Sequence, residues 1–133
     1  MTTHRRTFEG VPMELGAARS WFRKLLDGHP CADDAELIVT ELAANAIHHT
    51  ASGARAGTFH VAITLTERRL MVSVTDEGSP RAPQVQHASA DSITGRGLDI
   101  VQTLAHQVAI IGDDQGRTVT AELQLPHQDT TAR

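Results

Sequence analysis

Between residues 13 and 27, apolar side chains return every three or four positions, at Leu15, Ala18, Phe22, Leu25 and Leu26. That spacing draws one stripe along an α-helix. Pro12 suits the helix start, and Gly28-His29-Pro30 breaks the pattern. A second helical pattern opens near Asp33 or Asp34, either of which can cap it, and runs to about His49. From residue 58 the period changes to two. Phe59, Val61, Ile63 and Leu65 alternate with polar or small residues, and Leu70, Val72 and Val74 alternate with Arg69, Met71, Ser73 and Thr75. Alternation of this kind marks half-buried strands over 58–66 and 69–76. Glu67-Arg68 is the turn between them, without the usual Asn-Gly chemistry.

Periodicity is lost from 77 to 95, where Gly78, Pro80, Pro83 and Gly95 fall. An aperiodic stretch of that length inside a small domain is usually functional or disordered. A helix over 96–106 follows, with Leu98, Val101, Leu104 and Ala105 on one side. Residues 108–111 and 118–125 read as a hairpin around Asp113–Gly116, and 5–10 as a short edge strand. Strand, two helices, two strands, loop, helix and two strands predict an α+β two-layer sandwich. Its helices lie on one face of a largely antiparallel sheet.

The chain has 133 residues, which fits a single domain over 1–133 with a frayed polar tail at 126–133. A domain of this size buries roughly two thirds of its unfolded surface and needs no metal or disulfide to fold. Cys31 is the one cysteine, so no intrachain disulfide framework exists. No apolar run follows the charged N-terminal MTTHRRTFEG, so neither a signal peptide nor a membrane span is expected, and the expected compartment is the cytoplasm. A net charge of −4 and the absence of tyrosine argue against direct nucleic-acid binding. Arg5-Arg6 and Arg68-Arg69 are isolated pairs and read as solvated.

Three places carry polarity out of pattern. Glu41, Asn45 and His49 recur at four-residue spacing, so they share one face of an otherwise apolar helix. A surface ion pair is the plain reading of Glu41 alone. Oxygen ligands such as Glu and Asn suit magnesium better than zinc, and the His-Glu-x-x-His zinc spacing is missing. Asp76 continues the parity of Leu70, Val72 and Val74, so it points to the buried side of the sheet. It reads either as a strand-ending aspartate bonded to its own turn or as an acceptor for a ligand's amino group. Gly95-Arg96-Gly97-Leu98 opens a helix, where unpaired N–H groups favour an anion. Each signal alone is weak. Their order, Glu-x-x-x-Asn, Asp-x-Gly, then Gly-x-Gly, is the layout of one nucleotide site.

ELAANAIHHT (41–50), VTDEGSPRAP (74–83), GRGLDIV (95–101) and GRTVTAEL (116–123) together resemble the N box, the two glycine boxes and the closing strand of the GHKL, or Bergerat-fold, ATPases. More closely, the chain resembles anti-sigma-factor serine/threonine kinases of the RsbW and SpoIIAB type, over residues 8 to 125. The resemblance implies a mostly antiparallel mixed sheet and a bound ATP with Mg²⁺. Asn45 would be the Mg²⁺ ligand and Glu41 the general base. Asp76 would accept from the adenine amino group, with Gly78 allowing close approach. Gly95, Arg96, Gly97 and Leu98 would hold the phosphates beneath a lid over 79–94, and Thr118 would lie near adenine. Ser79-Pro80 departs from the first glycine box and stiffens the lid's start. Thr118 has the opposite parity from Val119, Ala121 and Leu123, so it reaches adenine only through a bulge or twist. His49 matches the family layout and reads as a helix-end residue at the negative pole of the macrodipole.

The implied function is phosphorylation of an anti-sigma antagonist protein and sequestration of a sigma factor, by a homodimer. The competing reading is a catalytically inactive ATP-binding module that acts by protein contact. A histidine-kinase catalytic domain would be preceded by a dimerisation helix pair, which the pattern lacks. A metal hydrolase built on the eight histidines is the most distant option.

Overall fold

The period-two segments are strands, and their apolar members share one face. The computed structural model describes residues 1–49, 57–77, 99–113 and 116–125. In chain order these form β1 (Thr2–Glu9), α1 (Met13–Leu25), α2 (Ala32–His49), β2 (Thr58–Leu65) and β3 (Arg69–Asp76). A helical segment over 99–104, here α3, precedes β4 (Gln107–Asp113) and β5 (Gly116–Gln124). The strands form one sheet in the order β1-β2-β3-β5-β4, and each pairing is antiparallel.

Register decides which residues look inward. Phe8 pairs with Phe59, Ile63 with Val72, Leu70 with Leu123, and Val72 with Ala121. All of these are buried. The Phe8 and Phe59 rings stack with centroids 5.4 Å apart, and Trp21 of α1 meets Phe8 edge-on at 5.9 Å. From α2, Ala35, Ile38, Val39, Leu42, Ala43 and Ala46 close the core over β2 and β3. Ala18 and Phe22 do the same from α1, and Val101 from α3. The architecture is the expected α+β sandwich.

The element ends differ in instructive ways. β1 starts at Thr2 because its pairing with β2 continues from Glu9↔Thr58 to Thr2↔Leu65. Backbone pairing and contacts such as Thr3 Oγ1–Thr64 Oγ1 (3.1 Å) extend it past its apolar residues. Asp33 and Asp34 lie inside the first turn of α2 rather than capping it, where their charge favours the positive pole of the helix. The turn at Glu67-Arg68 is closed by Thr66, whose Oγ1 accepts from the Arg69 N–H at 2.9 Å. That hydroxyl does locally what Asn-Gly does elsewhere.

Candidate functional site

Glu41 and Asn45 lie one turn apart on α2, and both are half-buried. At roughly 100° per residue, Asn45 is half a revolution from Glu36. Glu36 is on the side turned to α1, where its Oε2 accepts from Arg23 Nη2 at 2.6 Å. The Glu41–Asn45 flank therefore borders the core on the side away from α1. The helix is apolar where it meets the sheet and α1, and polar along this flank. His48 is exposed, and His49 ends the helix with its side chain outside the described residues.

Asp76 ends β3 on the core-facing side, two residues after buried Val74. Its Oδ1 accepts a hydrogen bond from the backbone N–H of Arg117 on β5, at 3.2 Å. One residue on, Glu77 Oε2 accepts from the Thr58 N–H at 2.7 Å and from Thr58 Oγ1 at 2.9 Å. The end of β3 is thus tied to β5 on one side and to the start of β2 on the other. That fixes where the Asp76 carboxylate stands.

Thr118 is not brought to this place. It pairs with Thr75, and the two hydroxyls meet at 2.8 Å. Thr75 alternates with Val74 and Asp76, so the pair lies on the sheet face turned away from the helices. No bulge intervenes: the β3–β5 register is continuous from Arg69↔Gln124 to Asp76↔Arg117. Thr118, expected near adenine, thus has its hydroxyl on the face opposite the one that carries Asp76. Arg117, in step with Val119, Ala121 and Leu123, is the β5 residue on the Asp76 side. Strand parity was the signal that could have found it.

Gly78, Gly95, Arg96, Gly97 and Leu98, with the expected lid over 79–94, lie outside the described residues. A shallow hollow between α1 and α2 is lined by Arg19, Asp33, Glu36, Leu37 and Thr40, and includes none of the sequence-predicted site residues. Among the described residues, no group of three or more His, Cys, Asp or Glu side chains is placed to hold a metal ion. None of the described helices is long and apolar enough to cross a membrane. Among the described residues, two groups are shifted in their titration, both away from Asp76. Hydrogen bonding and charge from Glu36 raise Arg23, and burial, with a smaller push from Asp34, raises the Cys31 thiol.

Comparison with known proteins bears on the whole domain. The histidine kinase-like ATPase domain family matches residues 8–123. No curated protein sequence matches the chain. Among solved structures, the RsbU and RsbW domains of a Mycobacterium tuberculosis protein are similar, with a TM-score of 0.71 and 19% sequence identity. That likeness covers 95% of this chain and 34% of the other, so the chain spans about a third of its solved relative.

Proposed function

The chain belongs to the histidine kinase-like ATPase domain family, and on that premise we propose that it is an ATP-binding anti-sigma regulatory factor with serine/threonine kinase activity. Its substrate would be an anti-sigma antagonist protein, and its regulatory partner a sigma factor released or held according to the antagonist's state. The observation that carries the reading is the Glu41–Asn45 pair, half-buried on the α2 flank away from α1, inside the matched region. The RsbW name of the structural relative supports the partner-switching part of the reading.

Asn45 would hold Mg²⁺ through its amide oxygen, a hard donor suited to that ion. When bound, the ion neutralises phosphate charge. Asp76 would accept from the purine 6-amino group, and Gly78 would let the base approach. The N–H groups at Gly95, Gly97 and Leu98 would meet phosphate oxygens, with Arg96 adding charge. In the transfer step, a serine or threonine hydroxyl oxygen bonds to the γ-phosphorus, the bridge to the β-phosphate breaks, and ADP leaves. Glu41 takes the hydroxyl proton. Phosphoryl transfer asks mainly for positioning and charge neutralisation, so few groups suffice.

The test is a transfer assay with radiolabelled ATP and candidate antagonist proteins. Label should reach an antagonist and should be lost with Glu41→Ala. Undiminished transfer by that variant would remove Glu41 as the base. Tight ATP binding with no transfer to any candidate would favour a module that acts by contact alone.

A further inference from the structure

We propose that Arg117 reads the purine beside Asp76, donating from its guanidinium to the ring-nitrogen acceptor that flanks the base's amino group. The inference rests on the reading of Asp76 as the amino-group acceptor and extends it to a second residue.

Three observations carry it. Arg117 is the register partner of Asp76, and its own N–H holds Asp76 Oδ1 at 3.2 Å. Directly paired strand residues keep their Cβ atoms roughly 5 Å apart, so the two side chains leave the sheet together on one side. Second, Arg117 is half-buried, yet among the described residues its guanidinium has no ion-pair partner. The ion pairs there are Arg23–Glu36 and Arg69–Glu122. A guanidinium at such a position can donate to an acceptor that a ligand brings. Third, the neighbour of Arg117 on its other side is Gly112, which contributes no side chain. Its backbone, at φ +124, leaves no room for one, because a Cβ would run into Gly116 O and Arg117 Cα. Arg117 is thus flanked by a carboxylate on β3 and by a gap on β4.

The chemistry fits adenine. Its edge offers an amino donor beside a ring-nitrogen acceptor. A carboxylate and a guanidinium, side by side, match that order with an acceptor and a donor. Lysine, a point charge without the planar fork, is a poorer match.

The test measures the binding of ATP and of inorganic tripolyphosphate to wild type, Arg117→Ala, Arg117→Lys, Thr118→Val and Asp76→Asn by calorimetry. Arg117→Ala should weaken ATP by roughly tenfold or more, the scale of one charge-assisted hydrogen bond, and leave tripolyphosphate unchanged. Arg117→Lys should recover only part of the loss, and Thr118→Val should bind ATP as wild type does. If Arg117→Ala does not melt cooperatively, Arg117→Thr, a better strand former, carries the same comparison. Equal weakening of ATP and tripolyphosphate would reduce Arg117 to a general charge effect and overturn the proposal. So would unchanged ATP binding by Arg117→Ala while Asp76→Asn loses it, and in that case the Asp76 reading stands. Unchanged binding by Asp76→Asn would instead defeat the site itself.

Discussion

The hydroxyls of Thr75 and Thr118 meet at 2.8 Å on the side of the sheet turned away from the helices. This contact marks the phase that the continuous β3–β5 backbone register sets. That register sends Asp76 and Arg117 to the inner side together, and it keeps Thr118 off any ligand seated against the helices.

Thr118→Val should therefore leave ATP binding intact. Its cost is one half-exposed hydroxyl contact, about 1 kcal/mol or less in urea unfolding. A loss of nucleotide affinity larger than the loss of stability would put Thr118 back at the base.

MgATP should raise the melting temperature of the wild-type protein. A ligand at about one hundred times its Kd adds about 2.7 kcal/mol to a folded state that alone binds it. Asn45→Ala and Asp76→Asn should show much smaller rises. Equal rises in all three proteins would place the nucleotide elsewhere.

Glu41→Gln separates binding from chemistry. The variant should keep its MgATP-induced rise in melting temperature while phosphotransfer falls roughly 10²–10⁴-fold, the usual contribution of a general base. If both fall in proportion, Glu41 is a binding group.

Gly112→Ala should destabilise the β4–β5 hairpin. The residue holds φ +124, and a methyl there would overlap the Gly116 carbonyl. Strain of this kind costs about 1–3 kcal/mol. Chemical denaturation would measure it, and a variant as stable as wild type would mean that the hairpin relaxes without penalty.

The Cys31 thiol should alkylate with a higher pH midpoint in native than in unfolded protein. Burial, followed by the charge of Asp34, raises its folded pKa above the ordinary thiol value. The sign follows: the contribution to stability is whole below the unfolded thiol pKa and is lost as pH rises through the folded one. Iodoacetamide rates measured against pH with and without denaturant would check it. Coincident midpoints would contradict the shift.

The sheet was legible where one face is dry. Leu70, Val72 and Val74 alternate cleanly because one side of β3 meets α2 and the other meets solvent. β1 was read short because Thr2, Thr3 and His4 are polar on both faces, and only their pairing with β2 makes them strand. The site was legible in the same uneven way. Glu41 and Asn45 could be placed from helical spacing alone. Parity puts Thr118 on the face opposite Asp76, and the β3–β5 register runs without the bulge that would turn it. Arg117 carries no ligand motif of its own; its proposed role comes from standing opposite Asp76. Gly78 and residues 95–98 lie outside the described residues, so their roles rest on the proposed reading.

β3 and β5 are sheet neighbours, yet residues 77–115 lie between them in the chain. A fragment ending at residue 77 would retain β1 to β3 and both leading helices while stripping the partner from Arg69 through Asp76. Those bare amides and carbonyls would offer a template to any other extended chain. Expressed alone, such a piece is expected to clump rather than persist as a miniature domain, so the first three strands and their helices depend on the last hairpin to finish the sheet.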